Sequence, residues 1–382
     1  MAMDRDLVIA PAVVLVIALL VSGFCFRRLR ALGIKGYPKW HRISERIVLS
    51  FAVLVAVAAG AGTTFNGVAT HHYRALHAAP GSLYVVDGYK MHLHCSGEGL
   101  PTIVLDSGLG DDSLIWAKVQ PELSKITRVC SYDRAGFGWS DPQPGPRDAD
   151  RIAQELHGLL TEAGISGPTV LMGHSVGGLY IRAYAARYPH NLSGLVFVDG
   201  STPLQQERFP AELREEDNNA EREFMKLKWL EILGIARATG QCRHFEGFDD
   251  FTGKMIAENQ CRASQLTAMG KEHQSLRQSG NETVGTRPFG DPPILIFSQD
   301  PQPPAPSESF RQAEVEFSKI WNQMQEDLKR LSTHSRRIIA KGSSHYIQVD
   351  RPDLLNSEVM DFIQRIRGEI SQPTDYGSTK IE

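Results

Sequence analysis

The stretch Thr169-Val170-Leu171-Met172-Gly173-His174-Ser175-Val176-Gly177-Gly178 decides the fold. Thr169 to Met172 is a short run of strand-forming residues, and an amphipathic pattern of helical period runs from Val176 to Tyr188. Only Gly173 to Ser175 remain for the reversal between them, a turn too tight for neighbouring Cβ atoms. Gly173 and Gly177 clear that space, and the Ser175 hydroxyl projects from the sheet edge. The helix that follows would bring free N–H groups and a positive dipole end to the place where negative charge forms on an attacked carbonyl. Ser175 is therefore the expected nucleophile, in preference to a structural loop serine.

Outward from this turn the chain alternates. Strands are expected at Leu83 to Val86, Met91 to Cys95, Thr102 to Leu105, Arg128 to Tyr132, Gly194 to Val198, Ile294 to Ser298 and Arg337 to Ala340. Amphipathic stretches at Ala149 to Ala163, Phe310 to Leu331 and Asp353 to Ile366 lie between or after them. Strand then helix, repeated, predicts an α/β fold with a mostly parallel central sheet and helices on both faces. Residues 201–290 break the alternation: they hold no convincing strand, and Met225, Trp229 and Ile232 recur at helical spacing. That block reads as an inserted helical cap within a domain over 81–368, with 369–382 as a flexible tail.

Several motifs together resemble the α/β-hydrolase family over about 83–368. Asp106-Ser107-Gly108-Leu109-Gly110 follows the third strand, where the family keeps its oxyanion loop. The resemblance implies that the backbone N–H groups of Leu109 and Val176 bind a developing oxyanion, although Ser107 stands where many members have His. Tyr132-Asp133-Arg134-Ala135-Gly136-Phe137-Gly138 is similar to the family's turn after the fourth strand, and Asp133 and Arg134 read as loop-fixing. A serine needs a positioned base. His345, in Gly342-Ser343-Ser344-His345 after the last expected strand, is the candidate among 13 histidines. Asp300 is expected to orient it, in the family order Ser, Asp, His, with Asp199 at the end of the Gly194 to Val198 strand as the alternative acid. His174 is expected to pack beside the sheet. The resemblance implies a serine hydrolase of carboxylic esters working through an acyl-enzyme. A thioesterase, amidase or lyase using the same residues, and a catalytically silent scaffold, are the alternatives. A serine rather than Asp in the turn speaks against the epoxide-hydrolase and dehalogenase branches. No cofactor or metal is implied, since His71, His72, His77, His92 and His94 lack carboxylate or Cys partners at ligand spacing.

The beginning of the chain is of another kind. Residues 7–26 and 47–68 are free of charge, each long enough to cross a bilayer core of about 30 Å. Seven cations and Glu45 lie between them, which predicts a membrane hairpin within 1–80, its loop cytoplasmic and the catalytic body extracytoplasmic. Gly60, Gly62, Thr63, Thr64 and Asn66 weaken the end of the second run, so its exit point stays open and a shallow interfacial helix is the alternative. Acidic residues before the first run and the lack of an A-x-A site disfavour a signal peptide. The expected partners are the bilayer and a small-molecule or lipid ester. The net charge of −3 divides into nine basic against three acidic residues over 1–80 and 32 against 41 in the rest, so no nucleic-acid partner is expected for the body. Cys95, Cys130, Cys242 and Cys261 allow three pairings; 95 with 130 and 242 with 261 is the expected one, and buried free thiols are the alternative.

Overall fold

The computed structural model describes residues 5–32, 38–286, 291–301, 311–369, 371 and 376–382. Nine strands form one sheet: β1 (Ser82–Val86), β2 (Tyr89–Ser96), β3 (Thr102–Asp106), β4 (Val129–Tyr132), β5 (Thr169–His174), β6 (Leu192–Val198), β7 (Ile294–Gln299), β8 (Ser335–Ala340) and β9 (Thr379–Ile381). Their order is β1-β2-β4-β3-β5-β6-β7-β8-β9. The β1/β2 hairpin turns at Asp87-Gly88, both with positive φ. β2 runs antiparallel to β4, and all later pairings are parallel. All eight expected strands form.

Because the parallel strands are covered on both faces, they read as continuous apolar runs rather than alternating ones. Their side chains still divide by the two-residue period. Leu195 and Phe197 of β6 join a core with Leu156, Leu159, Tyr180 and Ile181, supplied by α4 (Ala149–Glu162) and α5 (Gly177–Arg187), whereas α3 (Gln120–Leu123) lies beyond β3. Val196 and Val198 join the other core, with Trp116, Leu355 and Ile363. The last two belong to α13 (Pro352–Ile366), which follows α11 (Arg311–Asp327) and α12 (Ile347–Asp350). The expected helix start at Phe310 lies outside the described residues.

The inserted block is helical, as expected: α6 (Gln205–Arg208), α7 (Ala211–Ile232), α8 (Ile235–Ala238), α9 (Asp250–Gln260) and α10 (Ala263–Thr283). Cys242 and Cys261 form a disulfide within it, Cys95 and Cys130 a second one between β2 and β4, and Cys25 is free and buried. The expected flexible tail is a correction. Thr379–Ile381 pairs in parallel with β8, because an exposed sheet edge offers unpaired backbone groups to any extended segment, even one whose side chains stay exposed.

Two helices precede the sheet, α1 (Arg5–Ala31) and α2 (Lys39–Leu76), and both are long and apolar enough to cross a membrane. Arg28 pairs with Glu45, and Gly60 lies against Leu15 and Ala18, so the helices are antiparallel. Lys35, of the expected cytoplasmic loop, lies outside the described residues. With 38 residues, α2 is about 57 Å long, nearly twice the hydrocarbon thickness. Its end docks on the cap. A Cβ at Gly62 would run into the Leu233 carbonyl. Asn66 donates to the Glu231 carbonyl (2.7 Å) and accepts from Arg237 Nε (2.9 Å). Of the small and polar residues that blur the second apolar run in the sequence, Gly62 and Asn66 meet the cap, whereas Gly60 packs on α1.

Candidate active site

Ser175 sits at φ +52°, a left-handed conformation disfavoured for a residue with a Cβ. Its neighbours hold it there: Ser175 N–H donates to the Val198 carbonyl (3.1 Å), and Ser201 N–H donates to the Ser175 carbonyl (2.8 Å). A Cβ on Gly173 would come within 2.5 Å of the Gly177 carbonyl oxygen, and one on Gly177 within 2.8 Å of the Asp106 carbonyl oxygen. Both glycines are therefore required by close backbone approach, as the sequence suggests. From Leu171 to Tyr180 every residue is buried except Ser175.

Arg134 organises the loop after β3. Nη1 donates to Asp106 Oδ1 (2.9 Å) and the Ser107 carbonyl (2.7 Å), and Nη2 to the Gly108 carbonyl (2.7 Å). Nε and Nη2 hold both Glu272 oxygens (2.8 and 2.9 Å), so all the donor directions of a buried guanidinium are used. In a trans peptide the C=O and the following N–H point oppositely, so fastening the Gly108 carbonyl turns the Leu109 N–H the other way. Among the described residues neither the Leu109 N–H nor the Val176 N–H has a hydrogen-bond partner. They are two free amides at the carboxyl ends of β3 and β5, with Val176 capping α5.

Asp133 is loop-fixing in the way expected. Its carboxylate accepts from Ser113 N–H (2.7 Å) and Trp139 N–H (2.8 Å) and lies 2.8 Å from His92 Nδ1. Burial opposes the charge on both partners, but their attraction lowers the Asp133 pKa and raises that of His92.

The histidine partner departs from expectation. His345 Nδ1 donates to Asp199 Oδ2 at 2.6 Å, so the structure pairs His345 with the alternative acid and not with Asp300. Asp199 is completely buried, and its Oδ1 accepts from Gln299 N–H (3.0 Å). Asp300 directly follows β7, and its carboxylate turns to the neighbouring β8 end, where it accepts from Gly342 N–H (2.8 Å). It fastens the start of the histidine loop instead. Asp350 takes Ser344 N–H (2.8 Å), and His174 Nε2 donates to the His345 carbonyl (3.0 Å), so this loop is held from several elements. The His174 and His345 rings are 4.7 Å apart, and Trp321 of α11 lies edge-on to His345 at 5.7 Å. His345 and Ser175 stand at the same sheet edge, although among the described residues the Ser175 hydroxyl has no hydrogen-bond partner.

Three contacts escape sequence reasoning. Glu272 and Gln265, both on cap helix α10, fasten the loop after β3 through Arg134 and through the Gly110 carbonyl (3.0 Å). Nothing in their local sequence marks them. His174, expected only to pack, holds the His345 main chain, and its place next to Ser175 was the available signal.

Comparison with known proteins agrees with this fold. The model of the family described as "alpha/beta hydrolase fold" matches residues 101–227. An esterase from the thermophile Thermogutta terrifontis superposes with a TM-score of 0.56 at 20% identity, covering 75% of this chain and 98% of that one. The chain has the α/β-hydrolase fold. Among sequence relatives, the uncharacterized protein YqjL of Bacillus subtilis is 25% identical over 280 residues, 73% of this chain and 90% of that protein. An uncharacterized protein of Schizosaccharomyces pombe is 31% identical over 194 residues, 43% of this chain. A probable transporter of Hormonema carpetanum is 26% identical over 305 residues, 73% of this chain. The chain spans only 35% and 41% of the lengths of these last two.

Proposed function

We propose that this hydrolase cleaves carboxylic esters through an acyl-enzyme on Ser175, and that it does so while anchored in a membrane. The observation that carries this reading is the buried 2.6 Å contact between Asp199 and His345 Nδ1, at the same sheet edge as a strained serine. Asp199 keeps the His345 proton on Nδ1, which leaves Nε2 free to take the Ser175 proton as Oγ attacks the ester carbonyl. The Leu109 and Val176 amides stabilise the oxyanion, and His345 returns its proton to the departing alkoxide. Water, deprotonated by the same nitrogen, then releases the acid. Labelling of membranes with a fluorophosphonate probe tests the reading: the wild type takes the label and Ser175→Ala does not. An unlabelled wild type would leave a silent scaffold as the better account.

The substrate we infer is a lipophilic ester. An apolar cavity of about 800 Å³ opens between α1, α2 and cap helices α7 and α10, lined by Ala18, Phe51, Val55, Ala59, Trp229 and Leu233 among others. Ala59→Trp would displace about two methylenes of a bound chain, at ~0.8 kcal/mol each, and so raise KM for a palmitoyl ester about 15-fold. KM for a butyryl ester should stay within about twofold, and equal effects on both would remove the cavity from substrate binding. With α1 and α2 crossing the bilayer, the cationic loop between them is retained inside and the catalytic body lies on the other face, with the cap edge at Trp229 and Leu233 entering the apolar layer beside Ala18 and Val55. A reporter fused to the C-terminus that proved cytoplasmic would overturn this orientation.

A further inference from the structure

Beside the site, two buried polar atoms face each other without satisfying one another. Asp111 follows the loop that carries Leu109 and is 4% exposed; His174 precedes Ser175 and is 1% exposed. Asp111 Oδ2 lies 3.8 Å from His174 Nδ1, and among the described residues neither atom has a hydrogen-bond partner. The other ring nitrogen of His174 donates to the His345 carbonyl. A carbonyl oxygen only accepts, so the proton of a neutral His174 is on Nε2 and Nδ1 presents a bare lone pair. The ring is neutral because burial, with His345 and Arg134 nearby, holds its pKa well below the usual histidine range. An ionised carboxylate opposite that lone pair would leave two buried acceptors in conflict.

We propose, building on the assignment of Ser175 and His345 above, that Asp111 works as a neutral carboxylic acid, donating its proton to His174 Nδ1 and so fixing the ring whose Nε2–H anchors the His345 main chain. Asp111 and His174 are then positioning residues that act in parallel with Asp199. Asp199 orients the imidazole, and the Asp111–His174 pair places the backbone from which it hangs. The present separation is beyond hydrogen-bond range, and a rotation of the carboxyl about its broad terminal torsion closes it.

The charges around Asp111 set the direction of its titration. It faces His174 at the end of β5, His345 and Tyr346 in the loop after β8, Arg134 after β4, and its neighbour Asp112. Burial raises its pKa to about 7, against the opposing pull of Arg134 and His345. The neutral acid is the working form, so its contribution is complete well below pH 7 and is lost as pH rises through that value.

The test compares Asp111→Asn and Asp111→Ala in the full-length protein, by kcat and KM for p-nitrophenyl butyrate between about pH 5.5 and 9. The Asn amide also donates a proton but does not titrate. Asp111→Asn should keep kcat within about threefold of wild type at pH 6 and lack the wild-type decline above about pH 7. Asp111→Ala should lose about 10- to 30-fold in kcat at pH 6 with KM little changed, the cost of a misplaced base. The inference is overturned if Asp111→Asn loses as much as Asp111→Ala, or if it keeps the alkaline decline. Should the alanine variant fail to fold, the pH profile of the asparagine variant decides alone. Fluorophosphonate labelling separates the two levels: an unlabelled wild type defeats the assignment of Ser175, whereas a labelled wild type with an unchanged Asp111→Asn profile defeats only the role of Asp111.

Discussion

Asp199→Asn is expected to lower kcat for a p-nitrophenyl ester by about 10⁴-fold, and Asp300→Asn by less than about tenfold. The difference lies in what each carboxylate holds. Asp199 Oδ2 accepts the Nδ1 proton of His345 at 2.6 Å from a completely buried position. An asparagine there can present its NH₂ group to Nδ1, which would then have to be the unprotonated nitrogen. The proton would move to Nε2, the atom that must accept from Ser175, and the base would be blocked with its geometry intact. Asp300 instead accepts the exposed backbone N–H of Gly342, a bond worth about 1 kcal/mol. Its loss loosens the histidine loop without altering the imidazole tautomer. Steady-state kinetics of the two variants, with thermal melts to confirm folding, check this. A large loss confined to Asp300→Asn would return the acid to the position expected from sequence order.

Ser175→Ala and His345→Ala should each lower kcat by about 10⁶-fold, and the double variant should be no worse than either alone. In the proposed mechanism the nucleophile and its base act as a unit: without the serine there is no proton for the histidine to take, and without the histidine the hydroxyl is too weak a nucleophile. Residual turnover of about 10³-fold over water should persist in all three, from the Leu109 and Val176 amides and from substrate binding. The check is a double-mutant cycle on kcat. Losses that multiply would mean that the two side chains act independently and that another group deprotonates Ser175.

The features legible in the chain are those fixed over short distances. Strand period, the glycines around Ser175 and the helix after it are local properties, and the structure realises all eight expected strands and the tight turn. The positions of the loops after β3 and β8 were also legible, because each directly follows a strand whose end must lie at the same edge of a parallel sheet. The disulfide partners followed from strands expected to be neighbours and from two cysteines 19 positions apart within the cap.

What the chain alone could not settle depends on which strands become neighbours and how far a side chain must reach between them. Asp199 and Asp300 both follow strands, and only the β6-β7-β8 order, with the histidine loop reaching back across β7, brings the imidazole to Asp199. Arg134 and Glu272 meet across 138 residues, and the α2 end meets the cap across 165. The final strand is drawn in by an open edge rather than by its own composition. Local sequence determined the turn, the place of Ser175 in it and the layers, because backbone sterics and side-chain period act within a few residues. Tertiary structure decided the partners, because hydrogen bonds and ion pairs form between whichever groups the packed strands and helices bring within about 3 Å.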